Sequence, residues 1–331
     1  MWHNIWHIAS KPDNIPIVIM LVLVLFFGWL SFSLGIKNDR IRAEAARRRK
    51  EGNDDIKEKK KAEEENLVDM IDVMYPEEEQ GLPKMVPTWP HLVKLEFICA
   101  IIVMAFLLIW SVPIDAPLEE LANPALTPNP SKAPWYFLGL QDMLVYFDPY
   151  IAGVILPSFI IVGLLTIPYV DVNPKGNGYY TFRERRFAIL TYWFGFFFLW
   201  VLEIVIGVFC RGPGWMFFWP GQEWDPHRVV AEVNINLNEW LAGITGMVTL
   251  KSYSAALVIG LATILGYYAL GMLLPYIWLK GRKSETLEQL GLIRFGIVCF
   301  FFWTMMALPI KMVMRLVFSI KYILVTPWLN I

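Results

Sequence analysis

Charge is scarce in this sequence: 18% of its 331 residues are Asp, Glu, Lys or Arg, against roughly a quarter in water-soluble domains. Hydrophobic residues make up 56% and aromatic residues 15%, and the mean hydropathy is +0.46. Together these figures exclude a disordered chain and argue against a soluble globular one. Cysteine is scarcer still. Cys99, Cys210 and Cys299 stand about a hundred residues apart with no CxxC or CxxCH spacing, which disfavours a covalent c-type haem, a zinc knuckle and a cysteine-held iron–sulfur cluster. The four histidines, His3, His7, His91 and His227, are as scattered. None lies within an apolar run, so the facing membrane histidines of a b-haem bundle are missing, and no metal ligand set is expected. No GxGxxG, GxxxxGK[ST] or HExxH pattern marks a soluble catalytic domain. With 29 basic and 30 acidic residues, neither sign of charge points to nucleic acid.

Long uncharged apolar runs take the place of charge. About 20 such residues, rising about 1.5 Å each, cross the ~30 Å hydrocarbon layer as a helix. Six apolar runs are candidates: 15–34, 95–114, 151–170, 187–208, 255–279 and the shorter 293–308, three of them carrying a single charge, Glu96, Glu203 and Arg294. The first lacks a basic start and a small-residue cleavage site, so it reads as a retained anchor rather than a signal peptide. Counting Lys and Arg between the runs puts 21 of the 29 in the segments that share one side with residues 37–94. By the positive-inside rule that side is cytoplasmic, and both termini lie outside. The expected organisation is an anchor (1–36), a charged cytoplasmic linker (37–86), a central helical domain (87–209), and an outer loop with a helical extension (210–331). The linker reads as a solvated helix that enforces topology or as a docking site for a cytoplasmic partner. In the last run, Lys311 and Arg315 follow only about 16 uncharged residues and suggest an interfacial helix.

Motifs appear in order from residue 87. Pro87-Thr88-Trp89-Pro90-His91 precedes a span. The next loop contains Asn123-Pro124, Thr127-Pro128, Asn129-Pro130 and then Ala133-Pro134-Trp135-Tyr136-Phe137-Leu138. A span ending Leu164-Leu165-Thr166-Ile167-Pro168 follows, and then the basic loop Phe182-Arg183-Glu184-Arg185-Arg186. Over roughly 87–208 the chain resembles the carboxyl-terminal half of cytochrome b, the piece that occurs separately as subunit IV of cytochrome b–f complexes. The fold that the resemblance implies is an all-α membrane protein of about six spans, the central three subunit IV-like, with a short interfacial helix on the outer side. The function it implies is membership of a Rieske/cytochrome b quinol:cytochrome c oxidoreductase, with this chain forming part of the outer quinol-oxidising pocket. Its implied partners are a four-histidine chain carrying haem b, a Rieske iron–sulfur protein and a c-type cytochrome, in a multi-subunit complex, single or dimeric. The expected setting is a prokaryotic cytoplasmic membrane.

The prolines of that loop push each preceding residue out of the helical region, and Pro134 suits a helix start. Residues 135–147 are then expected to lie flat at the interface, with Pro134, Trp135, Tyr136 and Leu138 walling a slot for a quinone ring. One position departs from the family. Where it has the glutamate of P-E-W-Y, thought to accept a quinol proton, this chain has Pro134, so another acid must serve. Asp142, about 12 Å further along the helix, and Glu203, an ionisable residue inside an apolar run, are the catalytic candidates. Glu119, Glu120 and Asp148 are more remote ones. On the inner side His91 and Arg183, with Lys94, Glu96, Arg185 and Arg186 near them, are candidates for a quinone-reducing pocket or for headgroup binding. Beyond Cys210, Trp215, Trp219 and Trp224 suit either an aromatic belt or a docking surface for a redox partner. Gly260, Gly266, Gly271 and Gly281 suit close helix packing. A non-catalytic scaffold subunit, favoured by Pro134, and a solute transporter, disfavoured by the lack of paired broken helices, stay open as alternatives.

Overall fold

The apolar runs form helices. The computed structural model describes residues 2–12, 14–56, 87–115, 121, 123–125, 127–173, 180–225 and 233–331. Within them α1 (Trp2–Ala9) and α2 (Ile15–Ile56) are followed by α3 (Thr88–Ser111), α4 (Trp135–Met143), α5 (Ile151–Val170), α6 (Arg186–Cys210), α7 (Leu237–Thr245), α8 (Tyr253–Gly281) and α9 (Glu285–Phe318). Of these α2, α3, α5, α6, α8 and α9 are long and apolar enough to cross a membrane, and the protein is all-α with six candidate spans. Two short strands, β1 (Ile235–Asn236) and β2 (Ile320–Tyr322), pair in parallel. Glu119, Glu120, His227 and linker residues 57–86 lie outside the described residues.

The chain divides into two compact units, one of residues 18–117 and 175–190, the other of 1–17, 118–174 and 191–331. In the first, one face of α2 holds the turn at 180–184. Ser31 donates to the Tyr180 hydroxyl (2.7 Å), Asn38 to the Tyr180 carbonyl (3.0 Å), and the Arg183 N–H to Asp39 Oδ2 (2.8 Å). Arg42 pairs with Glu184 at 2.6 Å, and Phe32 meets Phe182 edge-on. Ser31, Asn38 and Arg42 are spaced as one helical stripe, so α2 presents a single edge to the turn. By contrast, no residue of Val93–Ser111 in α3 is buried.

In the second unit α8 and α9 form a hairpin. Tyr267 donates to the Trp303 carbonyl (2.7 Å), Tyr268 and Thr304 share a hydrogen bond (2.9 Å), and Trp303 Nε1 donates to the Gly271 carbonyl (2.5 Å). Because lipid is as apolar as leucine, such packing and hydrogen bonds, rather than water exclusion, hold membrane helices together. Phe159 of α5 packs edge-on against Phe300 and Phe301 of α9. A core of Met143, Tyr146, Phe147, Ile151, Ala152 and Leu308 gathers at the start of α5, with Leu329 and Ile331 of the returning tail against it. Asn236 starts α7, its N–H bound by Glu239 (3.0 Å) in a capping box.

The last span differs from its expected form. Gly291 (φ 67°) breaks α9 near its start, and the helix then runs through Lys311 and Arg315 to Phe318. Both cations are buried within the protein rather than exposed. Lys311 donates to the Lys321 carbonyl, and Arg315 to those of Val233 (3.1 Å) and Ser319 (3.4 Å). Carbonyls of the tail and of the approach to β1 thus replace the water those cations would otherwise seek. The tail also rests on Gly260, where a β-carbon would stand 2.7 Å from the Ile323 carbonyl oxygen and from the Leu324 Cα. Those atoms are backbone and cannot swing aside. Gly260→Ala is therefore expected to cost about 1–3 kcal/mol, read as a lower thermal midpoint in detergent, whereas Gly266→Ala, with nothing within 4 Å, leaves it unchanged.

Candidate functional site

The segment leading to α4 is clipped to it. Gln141 donates to the Ser131 carbonyl and accepts from the Ala133 N–H, both at 2.8 Å, and Lys132 donates to the Val208 carbonyl (2.8 Å). Pro134 is the extended residue before the helix (φ −51°, ψ 147°). Leu138, Gly139, Asp142 and Met143 are the buried residues of α4, spaced as one helical face. That face lies across α6. A β-carbon at Gly139 would be 3.4 Å from Trp200 Cδ1 and 3.5 Å from Ile204 Cγ1, and one at Gly207 would be 3.4 Å from the Leu138 Cβ and carbonyl oxygen. Each helix thus gives the other bare backbone at the crossing. On α6 the single α-helical turn Leu202–Val205 is flanked by wide π-type turns at Phe194–Val201 and Ile206–Cys210, a distortion common beside functional groups.

Beneath the crossing sits a sealed charge cluster. Asp142 and Glu203 are 0% exposed, Tyr146 1% and Arg211 3%. Arg211 Nε meets Asp142 Oδ1 at 2.6 Å and Nη2 meets Oδ2 at 3.4 Å; Nη2 also donates to the Tyr146 hydroxyl (3.2 Å) and Nη1 to the Trp215 carbonyl (3.2 Å). The Tyr146 hydroxyl donates to Asp142 Oδ2 (3.3 Å). Burial, then the Asp142 and Glu203 carboxylates, push the Tyr146 hydroxyl well above its usual range, so it keeps its proton. Burial alone would weaken Arg211 as a base, but Asp142 outweighs it and the guanidinium stays charged. Glu203 lies close enough for the charges of Asp142 and Arg211 to act on it, yet both its oxygens are buried with no hydrogen-bond partner. Leaving such atoms unmatched is costly.

One side of this cluster backs onto an open cleft of about 400 Å³, lined among others by Asn129, Gln141, Val145, Trp215 and Lys321. The turn between α6 and the cleft is tightly wound: Gly214 (φ 64°) and Trp215 (φ 59°) both have left-handed backbone, and the Gly214 N–H binds Asn129 Oδ1 (2.7 Å). A left-handed tryptophan is strained, and such strain persists only where surroundings impose it.

The sequence candidates separate accordingly. Asp142 and Glu203 come together, but Asp142 is occupied by Arg211 and is not a solvated helix polarity. Pro134 and Tyr136 are exposed, Trp135 half-buried, and Phe137, at 48%, joins Tyr136 in an exposed aromatic edge. Leu138 turns away from that edge, into the crossing against Gly207. The helix ends at Met143, not Phe147; residues 144–147 form a turn whose Tyr146 and Phe147 enter the core. His91 and Arg183 are both exposed and share no hydrogen bond. Asp148 accepts from the Tyr150 N–H (3.1 Å). Arg211 is the residue that sequence reasoning missed: it was counted as one more loop cation. Its place directly after an apolar span that holds a lone carboxylate was the available signal.

Among the described residues no group of three or more His, Cys, Asp or Glu could hold a metal ion. What the fold and site define is an all-α membrane protein in which the short helix α4 caps a buried acid pair at the end of a span. Residues 121–211, which contain that helix and all four cluster residues, match the family model cytochrome b(C-terminal)/b6/petD. Over this segment the chain is of the cytochrome b C-terminal, subunit IV-like type. A menaquinol:cytochrome c reductase cytochrome c subunit of Geobacillus thermodenitrificans is 29% identical over 92 residues, covering 26% of this chain and 37% of that protein. The chain thus matches little more than a third of the relative's length. No solved structure matches it.

Proposed function

We propose that this chain is the subunit IV-like component of a quinol:cytochrome c oxidoreductase of the Rieske/cytochrome b type, completing its outer quinol-oxidising pocket. The observation that carries the reading is Glu203, a sealed carboxyl group without a partner, beneath the crossing made by the helix that bears Trp135 and Tyr136. Quinol oxidation releases two protons. An acid placed next to a fixed guanidinium and clear of bulk water can take one, as Pro134 cannot. Pro134, Trp135 and Tyr136 offer the flat aromatic edge for the quinol ring, Leu138 fixes that edge through the crossing, and Asp142 holds Arg211. Haem b belongs to a four-histidine partner chain, and electrons leave to that chain and to a Rieske protein on the way to a c-type cytochrome. His91 and Arg183 serve an inner quinone-binding site. Both termini face the outer side of a prokaryotic cytoplasmic membrane.

The test is purification of the native complex through a tag on this chain. Haem b and an iron–sulfur protein are expected to co-purify, menaquinol oxidation to be inhibitor-sensitive, and haem to be absent from this polypeptide once isolated. A complex free of haem would overturn the reading. Pro134 also favours a second reading, a scaffold subunit without chemistry. In that case the complex oxidises quinol at the same rate whatever residue stands at 203.

A further inference from the structure

Three residues are left over once Glu203 is given the proton. Arg211, Asp142 and Tyr146 form a closed hydrogen-bonded triangle, and its position suggests more than bracing. The cluster and the cleft share neighbouring residues. Gln141 and Val145, which line the cleft, precede Asp142 and Tyr146 in the chain, and Trp215, which also lines it, accepts a hydrogen bond from Arg211. Arg211 therefore reaches from the buried acids to the cleft wall.

We infer that the Asp142–Tyr146–Arg211 triangle is the proton exit from Glu203, with Arg211 as its latch and the cleft beside Gln141, Val145 and Trp215 as its outlet. This rests on the quinol-oxidising reading above. The proton leaves a quinol oxygen for a Glu203 oxygen and then passes to Asp142; no electrons travel this way, since both go to the metal centres of partner chains. Two carboxylates and one guanidinium accommodate a single added proton without net charge. When that proton reaches Asp142, the ion pair to Arg211 loses its charge–charge attraction, and the guanidinium is held only by the Trp215 carbonyl and the Tyr146 hydroxyl. It then moves toward the cleft, water enters, and the proton passes from Asp142 to that water. Tyr146 donates to Asp142 while accepting from Arg211, so it aligns both partners. An arginine cannot itself carry the proton. It can only open or close the way, so Arg211 and Tyr146 are positioning residues, and Asp142 alone of the three carries the proton.

Two variants test this in the intact complex. Asp142→Asn/Arg211→Gln removes both buried charges together, and so leaves neither unpaired. Tyr146→Phe keeps the ring and removes one oxygen. Expected for the double variant is at least a tenfold fall in kcat for menaquinol oxidation, with KM within twofold of wild type, unchanged haem content, and a larger solvent deuterium isotope effect because proton release becomes limiting. Tyr146→Phe shows at least a threefold fall with the same change in isotope effect. A purely structural triangle would alter assembly or KM and leave the isotope effect alone. Wild-type kcat and isotope effect in Tyr146→Phe overturn the exit, even if the double variant fails to assemble. If Glu203→Gln is slow in that same experiment, the quinol-oxidising reading stands without the exit. If the wild-type complex oxidises no quinol, that reading fails first.

Discussion

Glu203→Gln lowers inhibitor-sensitive quinol oxidation by the intact complex about a hundredfold, the lower range for loss of a positioned acid–base group. Glutamine matches glutamate in shape but accepts no proton at neutral pH. A neutral amide costs less to bury than a carboxylate, so the fold is not weakened. The thermal midpoint and haem content of the complex are expected to equal or exceed those of wild type. A loss of rate with intact assembly separates proton chemistry from architecture. Wild-type turnover would return Glu203 to a packing role.

Arg211→Ala acts on stability instead. It leaves Asp142 buried and uncompensated and frees the Tyr146 hydroxyl and the Trp215 carbonyl at once. Breaking one partner of a buried pair typically costs about 3–5 kcal/mol, a large share of the margin of most proteins. The variant chain is expected to be lost from the complex, seen as missing subunit on gels and reduced membrane-bound haem. Restoring neutrality with Asp142→Asn in the same chain should return the subunit. If the single variant assembles normally, the pair does not hold α4 to α6.

The spans were readable because apolar length is a one-dimensional property: each of the six runs returns within a helix, four with ends shifted by a few residues, while the first extends on to Ile56 and the last reaches from Glu285 to Phe318. Asp142 and Glu203 could be named because acids are rare in such surroundings. Their roles could not, since Asp142 and Arg211 lie 69 positions apart in the chain, and Arg211 counts equally as a topology signal. The Leu138 orientation depended on Gly139 and Gly207 meeting at one crossing, and neither glycine has local significance. Lys311 and Arg315 looked interfacial because charge usually ends a span; the carbonyls that bind them, in the tail and at Val233, belong to segments without a motif.

The grip of α2 on the turn at 180–184 carries a rule of parity. Residues 31–42 can touch residues 180–184 only if the chain crosses the bilayer an even number of times between them. Among the described residues the segments able to do so are α3 and α5, while α4, at nine residues, is too short. Biogenesis must therefore insert both before the clasp can close, and a chain that skipped one would leave Arg42 and Glu184 on opposite faces of the lipid.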